Sequence, residues 1–196
     1  MPDRALVPPN EIHVWSAGLD SPAWPALDRL PPDERARAER IWDRRRSRRW
    51  TAARWALRYV LGRYLSTAPA EVPLATAAGG KPVLAGEELA LRFNLSHSRD
   101  VALVAVSPSL EVGVDAEWID RRRPPDFYAA WTRREAVAKC FGGGLGAPPP
   151  DAPVSVANID AGADGFAAAL AVAGAEVPRL RRFALDPLAA RPLSGG

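Results

Sequence analysis

FNLSHSRDVALVAVSPSLEVGVDAEW (93–118) is the stretch on which the fold turns. Its apolar residues come in runs of strand length: LRFNL (91–95) and VALVAVS (101–107) flank a polar SHSRD turn, and LEVGVDAEW (110–118) reads as a third strand. The third run ends on two acids at alternate positions, Asp115 and Glu117, which a strand points to the same side. Like charges held that close repel and raise each other's pKa unless something positive lies between them. Taken alone, the two acids are more simply a polar strand end in water.

Outward from this stretch, EIHVWSAGLD (11–20) reads as a first strand, and LPPDERARAER (30–40) starts a helix with prolines and acids in its first turn. In RWTAARWALRYVLGRYL (49–65), residues Trp50, Ala53, Leu57, Val60, Leu61 and Tyr64 recur at helical spacing and define an amphipathic helix. TAAGGKPVLAGEELA (76–90) is a Gly-Lys-Pro turn between short extended pieces, and RRRPP (121–125) is a breaker. DFYAAWTRREAVAKCF (126–141) is a second helix, ended by Gly142–Gly144. A Gly/Pro stretch (142–153) then leads to two strands, GFAAALAVAG (165–174) and PRLRRFALDP (178–187). WTAARWALRYVLG (50–62) and WTRREAVAKCFGG (131–143) align as a weak repeat, with Arg58 opposite Lys139 and Gly62 opposite Gly143. Each helix precedes an Ala/Val strand. The expectation is an α+β protein of two pseudo-symmetric halves, 1–110 and 111–196, each a long helix on a small, mainly antiparallel sheet, packed as one unit.

The chain has 196 residues, enough for one domain or two closely joined subdomains, and 47% of them are hydrophobic. No apolar run approaches a membrane span, and the N-terminus lacks a signal-peptide layout. The single cysteine, Cys140, excludes an internal disulfide and a Cys-rich zinc site, which suits a cytoplasmic protein. Net charge is only +3, yet the 26 basic residues include just two lysines, Lys81 and Lys139. From Arg35 to Arg63 there are eleven arginines and two acids, Glu39 and Asp43.

Glu135 and Lys139 stand four apart on one helix face, where a solvated ion pair is the ordinary reading. His97 in its polar turn and Lys81 in GGKP are equally unremarkable alone, and His13, within an apolar strand, reads as structural. Together, three carboxylates, a lysine, a histidine and an arginine-rich helix form a set. Hard oxygen donors without a Cys or His cluster suit Mg²⁺, which takes carboxylates together with phosphate oxygens and water.

In GKP (80–82), FNLSHS (93–98), VGVDAE (112–117) and WTRREAVAK (131–139), in that order, the sequence resembles the 4′-phosphopantetheinyl transferases of the surfactin-synthetase type. The likeness spans roughly residues 30–145 and includes both lysines. It implies transfer of the phosphopantetheine arm from coenzyme A to a serine of an acyl- or peptidyl-carrier protein, in the cytoplasm, by a monomer with no membrane partner. Such carriers serve polyketide or nonribosomal peptide biosynthesis. By the same resemblance, Asp115, Glu117 and Glu135 hold Mg²⁺ against the pyrophosphate of coenzyme A. Glu135 is the base for the carrier serine, directly or through water, and Lys139 neutralises the pyrophosphate and the departing 3′,5′-ADP. Ser96 and His97 contact the coenzyme A phosphates with Asn94 supporting them, and Arg37, Lys81 with Pro82, and Arg48 or Arg49 bind the nucleotide end.

Three features depart from the family pattern, one being that the stretch after Lys139 is shortened, with GGGLGAPPP (142–150) where an ordered segment usually leads into the final strands. Arg134 stands where many members have lysine, and only thirteen residues (118–130) separate Glu117 from Trp131, where larger members carry a longer helical segment that helps dock the carrier. A triplet, Arg121–Arg123, occupies this short connection and offers charge to an acidic carrier helix, or simply to solvent. The rival readings are a coenzyme A or carrier binder without turnover, and a nucleic-acid-binding module using the arginine helix. The second leaves the three carboxylates unexplained.

Overall fold

The computed structural model describes residues 7–77, 80–86, 91–124, 126–142, 152–175 and 178–188. Gly143, Gly144 and most of the Gly/Pro stretch lie outside these residues. Among the described residues, three α-helices and nine strands follow one another as β1 (Glu11–Gly18), α1 (Pro32–Glu39), α2 (Arg44–Leu65), β2 (Leu74–Thr76), β3 (Pro82–Leu84), β4 (Arg92–Ser98), β5 (Val101–Ser107), β6 (Val112–Trp118), α3 (Phe127–Phe141), β7 (Val154–Ile159), β8 (Phe166–Ala173) and β9 (Arg179–Ala184). The fold is α+β, as the sequence suggests.

Helix, sheet, sheet and helix stack in four layers. The first sheet has the order β4-β5-β1-β9 and the other large sheet the order β6-β8-β7, while β2 and β3 form a separate hairpin. Strand β5 is buried along its whole length because it is covered on both faces. Val104 and Val106 pack with Trp15 of β1 against Trp55, Tyr59 and Val60 of α2. Leu103 and Ala105 pack with Ile12 and Val14 against Val112, Val114, Leu170 and Val172 of the second sheet. A strand covered on both faces carries a continuous apolar run instead of an alternating one. α3 closes the far side through Ala136 and Cys140 on Ala169 and Ala171. Burial pushes the Cys140 thiol up to about 11, so it is a packing residue and no nucleophile at neutral pH.

α2 is longer than its apolar pattern indicates. Asp43 caps it by accepting from the Arg46 amide at 2.7 Å, so the helix begins at Arg44. Every residue from Thr51 to Gly62 is buried, since α1 and the turn at Pro69–Glu71 cover the face turned away from the sheet. Gly62 permits this: a Cβ there would stand 2.6 Å from the Thr67 carbonyl.

Three differences from the sequence reading have physical causes. SHS is not part of a turn: β4 runs to Ser98, and only Arg99 and Asp100 separate it from β5, with Arg99 in the left-handed region at φ +49°. β7 was not anticipated. The two helix-on-sheet units are unequal, and β9 leaves the second to pair in parallel with β1, so the division at residue 110 is crossed by the returning strand. His13 helps anchor the β1–β9 side. Trp15 Nε1 donates to Tyr64 Oη (2.8 Å), whose hydroxyl donates to His13 Nδ1 (2.8 Å), leaving His13 Nε2 to donate to Glu11 (3.2 Å).

Candidate active site

Gly113 sets the approach of α3 to β6. A Cβ at this position would overlap the Ala136 carbonyl and the Cys140 amide, so the helix backbone lies directly on the strand. Ala136 and Cys140 are one turn apart, and the residues preceding each are Glu135 and Lys139. Along β6, Gly113, Asp115 and Glu117 share the face turned to the helix. The glycine therefore brings the two groups of charged residues together.

Asp115 is 2% exposed, and its Oδ1 receives Lys139 Nζ at 2.6 Å and Ser96 Oγ at 2.9 Å. Its other oxygen, Oδ2, is buried without any hydrogen-bond partner. Glu117 accepts from Ser98 Oγ at 2.9 Å through Oε2. Partial burial and then the neighbouring charge of Asp115 push the Glu135 carboxyl above its ordinary value; Lys139 opposes this and Glu117 adds to it. Lys139 thus pairs with Asp115, and Glu135 lies near enough to feel the charges of Asp115, Lys139 and Glu117. Among the described residues, no three His, Cys, Asp or Glu side chains are placed so that together they could hold a metal ion.

The remaining predicted residues divide between two places. Arg37, Pro82 and His97 come together with Trp50, Arg54 and Gly80 around two adjoining hollows of about 130 and 340 Å³ between α1, α2 and the β2–β3 hairpin. His97 is held below its ordinary pKa by burial and then by the charges of Lys139, Arg46 and Arg54. Because SHS is strand, Ser96 and His97 point to opposite faces: His97 toward α2 and Ser96 toward β6. Ser96 is buried, with its hydroxyl engaged by Asp115, Lys139 (2.9 Å) and the Ala116 amide (3.3 Å). Asn94 accepts from the Val114 amide at 3.0 Å. Lys81 donates to the Lys139 carbonyl at 3.1 Å, near the C-terminus of α3, and so ties the hairpin to the carboxylate helix.

Arg49 is not brought to the hollows; it grips Asp20 with Nε at 2.7 Å and Nη2 at 2.5 Å, and Arg48 lines a separate, larger hollow of about 660 Å³. The sequence reading also missed Arg54 and Arg58. Arg54 bonds Glu34 Oε1, Arg58 bonds Glu34 Oε2 at 2.8 Å, and Arg58 Nη1 reaches the Pro69, Ala70 and Val72 carbonyls. Residues twenty and more apart carry no periodic signal of such contacts. With Arg45 also on Asp20 and Arg63 over the Trp15 ring, much of the arginine run is occupied within the protein, and α2 is not a free cationic stripe for nucleic acid.

Carboxylates and one lysine thus gather where the two sheets meet, near a hollow lined by Arg37, Arg54 and His97. The family description "4′-phosphopantetheinyl transferase, N-terminal" matches residues 15–109. The 4′-phosphopantetheinyl transferase HetI of Nostoc sp. is 33% identical, the match covering 70% of this chain and 74% of that protein. The L-aminoadipate-semialdehyde dehydrogenase-phosphopantetheinyl transferases of mouse and human are 26% and 27% identical, each match covering 62% of this chain and 51% of the relative. The chain belongs to the 4′-phosphopantetheinyl transferase family and is a transferase. No helix among the described residues is long and apolar enough to cross a membrane.

Proposed function

We propose that this protein transfers the 4′-phosphopantetheine arm of coenzyme A to a serine hydroxyl of an acyl- or peptidyl-carrier protein, with a divalent cation, Mg²⁺ by donor type, at the carboxylates. The observation that carries the reading is the buried, partnerless Oδ2 of Asp115 in a cluster of three acids and one lysine. An orphaned carboxylate oxygen costs about 1–3 kcal/mol, more for a charged group, unless a ligand satisfies it. An all-oxygen donor set fits a hard cation, and Asp115, Glu117 and Glu135 would hold it. When bound, such a cation neutralises charge on a pyrophosphate.

The protein's own groups account for the rest. The carrier serine oxygen forms a bond to the phosphorus bearing the pantetheine arm, the bond from that phosphorus to 3′,5′-ADP breaks, and Glu135 takes the serine proton directly or through water. A carboxyl already pushed above its ordinary pKa is a better base for this task. Lys139 reaches the cluster from the same helix face as Glu135 and places its charge where the 5′-phosphate of the leaving 3′,5′-ADP develops negative charge. Arg37, Pro82 and His97 receive the nucleotide end in the hollows, while Lys81, bonded to the Lys139 carbonyl, holds the hairpin that forms part of their wall. There His97 presents a ring N–H donor to a phosphate oxygen. Asn94 and Ser96 support this arrangement from within.

The test is intact mass measurement of an apo carrier domain incubated with the protein, coenzyme A and Mg²⁺, with an EDTA control. Addition of one phosphopantetheine arm, absent with EDTA, is the expected result. No mass gain across several acyl- and peptidyl-carriers overturns the reading.

A further inference from the structure

Strand β6 is an edge strand, and the amides on its outer side, Val114, Ala116 and Trp118, would be left without ladder partners. They are capped not by another backbone but by alternate side chains of β4. Val114 donates to Asn94 Oδ1 (3.0 Å), Ala116 to Ser96 Oγ (3.3 Å) and Trp118 to Ser98 Oγ (3.2 Å). The choice of capping residue follows what stands beside each amide. Next to Val114 is Gly113, with no side chain to hold, and the cap is an amide. Next to Ala116 and Trp118 are Asp115 and Glu117, and there each cap is a hydroxyl, which can accept and donate at once.

The direction of each hydroxyl proton follows by elimination. Backbone N–H groups and the Lys139 ammonium can only donate, so the Ser96 proton goes to Asp115 Oδ1 and the Ser98 proton to Glu117 Oε2. Lys139 also holds Asp115, but among the described residues no other hydrogen bond holds the Glu117 side chain. The Arg99 guanidinium lies 3.3 Å from the Trp118 ring centre and closes the end of this seam.

We infer that Ser98 is a positioning residue: it fixes the rotamer of Glu117 through one oxygen and leaves the other directed at the carboxylate cluster, so that the site is preorganised for a divalent cation. The inference rests on the carboxylate reading proposed above. Partners that orient a metal ligand contribute about 10- to 100-fold to metal affinity in comparable sites, and that is the effect assigned to Ser98.

Mn²⁺ binding to the whole protein, followed by the loss of the free-ion electron paramagnetic resonance signal, tests this without turnover. Ser98→Ala should weaken Mn²⁺ binding by about 10-fold, Ser98→Thr should restore it, and Ser98→Cys, with only a weak donor, should fall between. In a Glu117→Gln background, Ser98→Ala should change the affinity less than about 2-fold, because its route to the metal is gone. If Ser98→Ala does not fold, the Thr and Cys variants carry the comparison. Wild-type binding with unaltered binding in the folded Ala or Cys variant overturns the Ser98 role alone. A loss that persists undiminished in the Glu117→Gln background also overturns it, as a merely structural effect. Absence of Mn²⁺ binding by the wild type overturns both the Ser98 role and the carboxylate reading beneath it.

Discussion

The two helix–sheet units use buried charge in opposite ways. Against α2, one carboxylate, Glu34, is shared by two arginines, and Arg58 also reaches three carbonyls, so these buried charges are paired and the helix is locked to α1 and to the turn that follows it. Against α3, three carboxylates gather with one lysine, which pairs with Asp115, and a buried oxygen of Asp115 has no partner. In the first arrangement the buried charges offset one another. The second holds uncompensated negative charge beside a cationic hollow, which is a cost to folding unless binding redeems it. One architecture thus carries a stabilising charge cluster on one side and a reactive one on the other.

The largest effect is expected where geometry alone holds the second unit together. Gly113→Ala places a methyl group into the α3 backbone, and about 3 kcal/mol or more should be lost as the helix is pushed off β6. Denaturant unfolding of the variant should show it, together with lost transfer, since Glu135 and Lys139 move with the helix.

Next comes the closed cluster. Glu34→Ala strands Arg54 and Arg58 in the interior, and breaking a buried pair in this way costs about 3–5 kcal/mol. Urea titration should give that loss, and a loss under about 1 kcal/mol would erase the contrast between the two units.

The smallest effect has the opposite sign. Because Glu135 is held above its ordinary pKa, the native state keeps its proton to higher pH than the unfolded chain does. This group therefore subtracts stability as pH rises through that raised value. Glu135→Gln should abolish transfer yet leave the protein more stable than wild type at neutral pH, with a flatter dependence of melting temperature on pH. Added Mg²⁺ should raise the wild-type melting temperature and leave that of Glu135→Gln nearly unchanged. A variant that loses activity and stability together would place Glu135 with the structural charges instead.

How legible this was in the sequence depended on range. The apolar periods of α2 and α3 and the runs of β5, β6 and β8 can be read directly, because spacing of 3.6 or 2 is a local property of the chain. The carboxylates, both lysines and His97 are legible as a set of motifs in order. The buried partners Arg54 and Arg58 are not, since Glu34 lies twenty and more residues upstream and nothing local announces the contact. Ser98 falls between these cases. The alternation Asn94, Ser96, Ser98 was visible, but SHS reads as a turn by composition, and only pairing with β5 makes it strand.

By itself, then, the sequence determined the helices and most of the strands, β7 and the SHS end of β4 excepted, that three acids and a lysine recur in a transferase pattern, and that small residues border them. The tertiary structure alone decided that β9 returns to β1, that Arg49 serves Asp20, and that Ser96 and His97 serve different faces. It also decided that β4 caps the free edge of β6 with its side chains. Each of these depends on contacts between residues far apart in the chain, whose geometry is set by the stacking of two sheets and is carried by no local spacing.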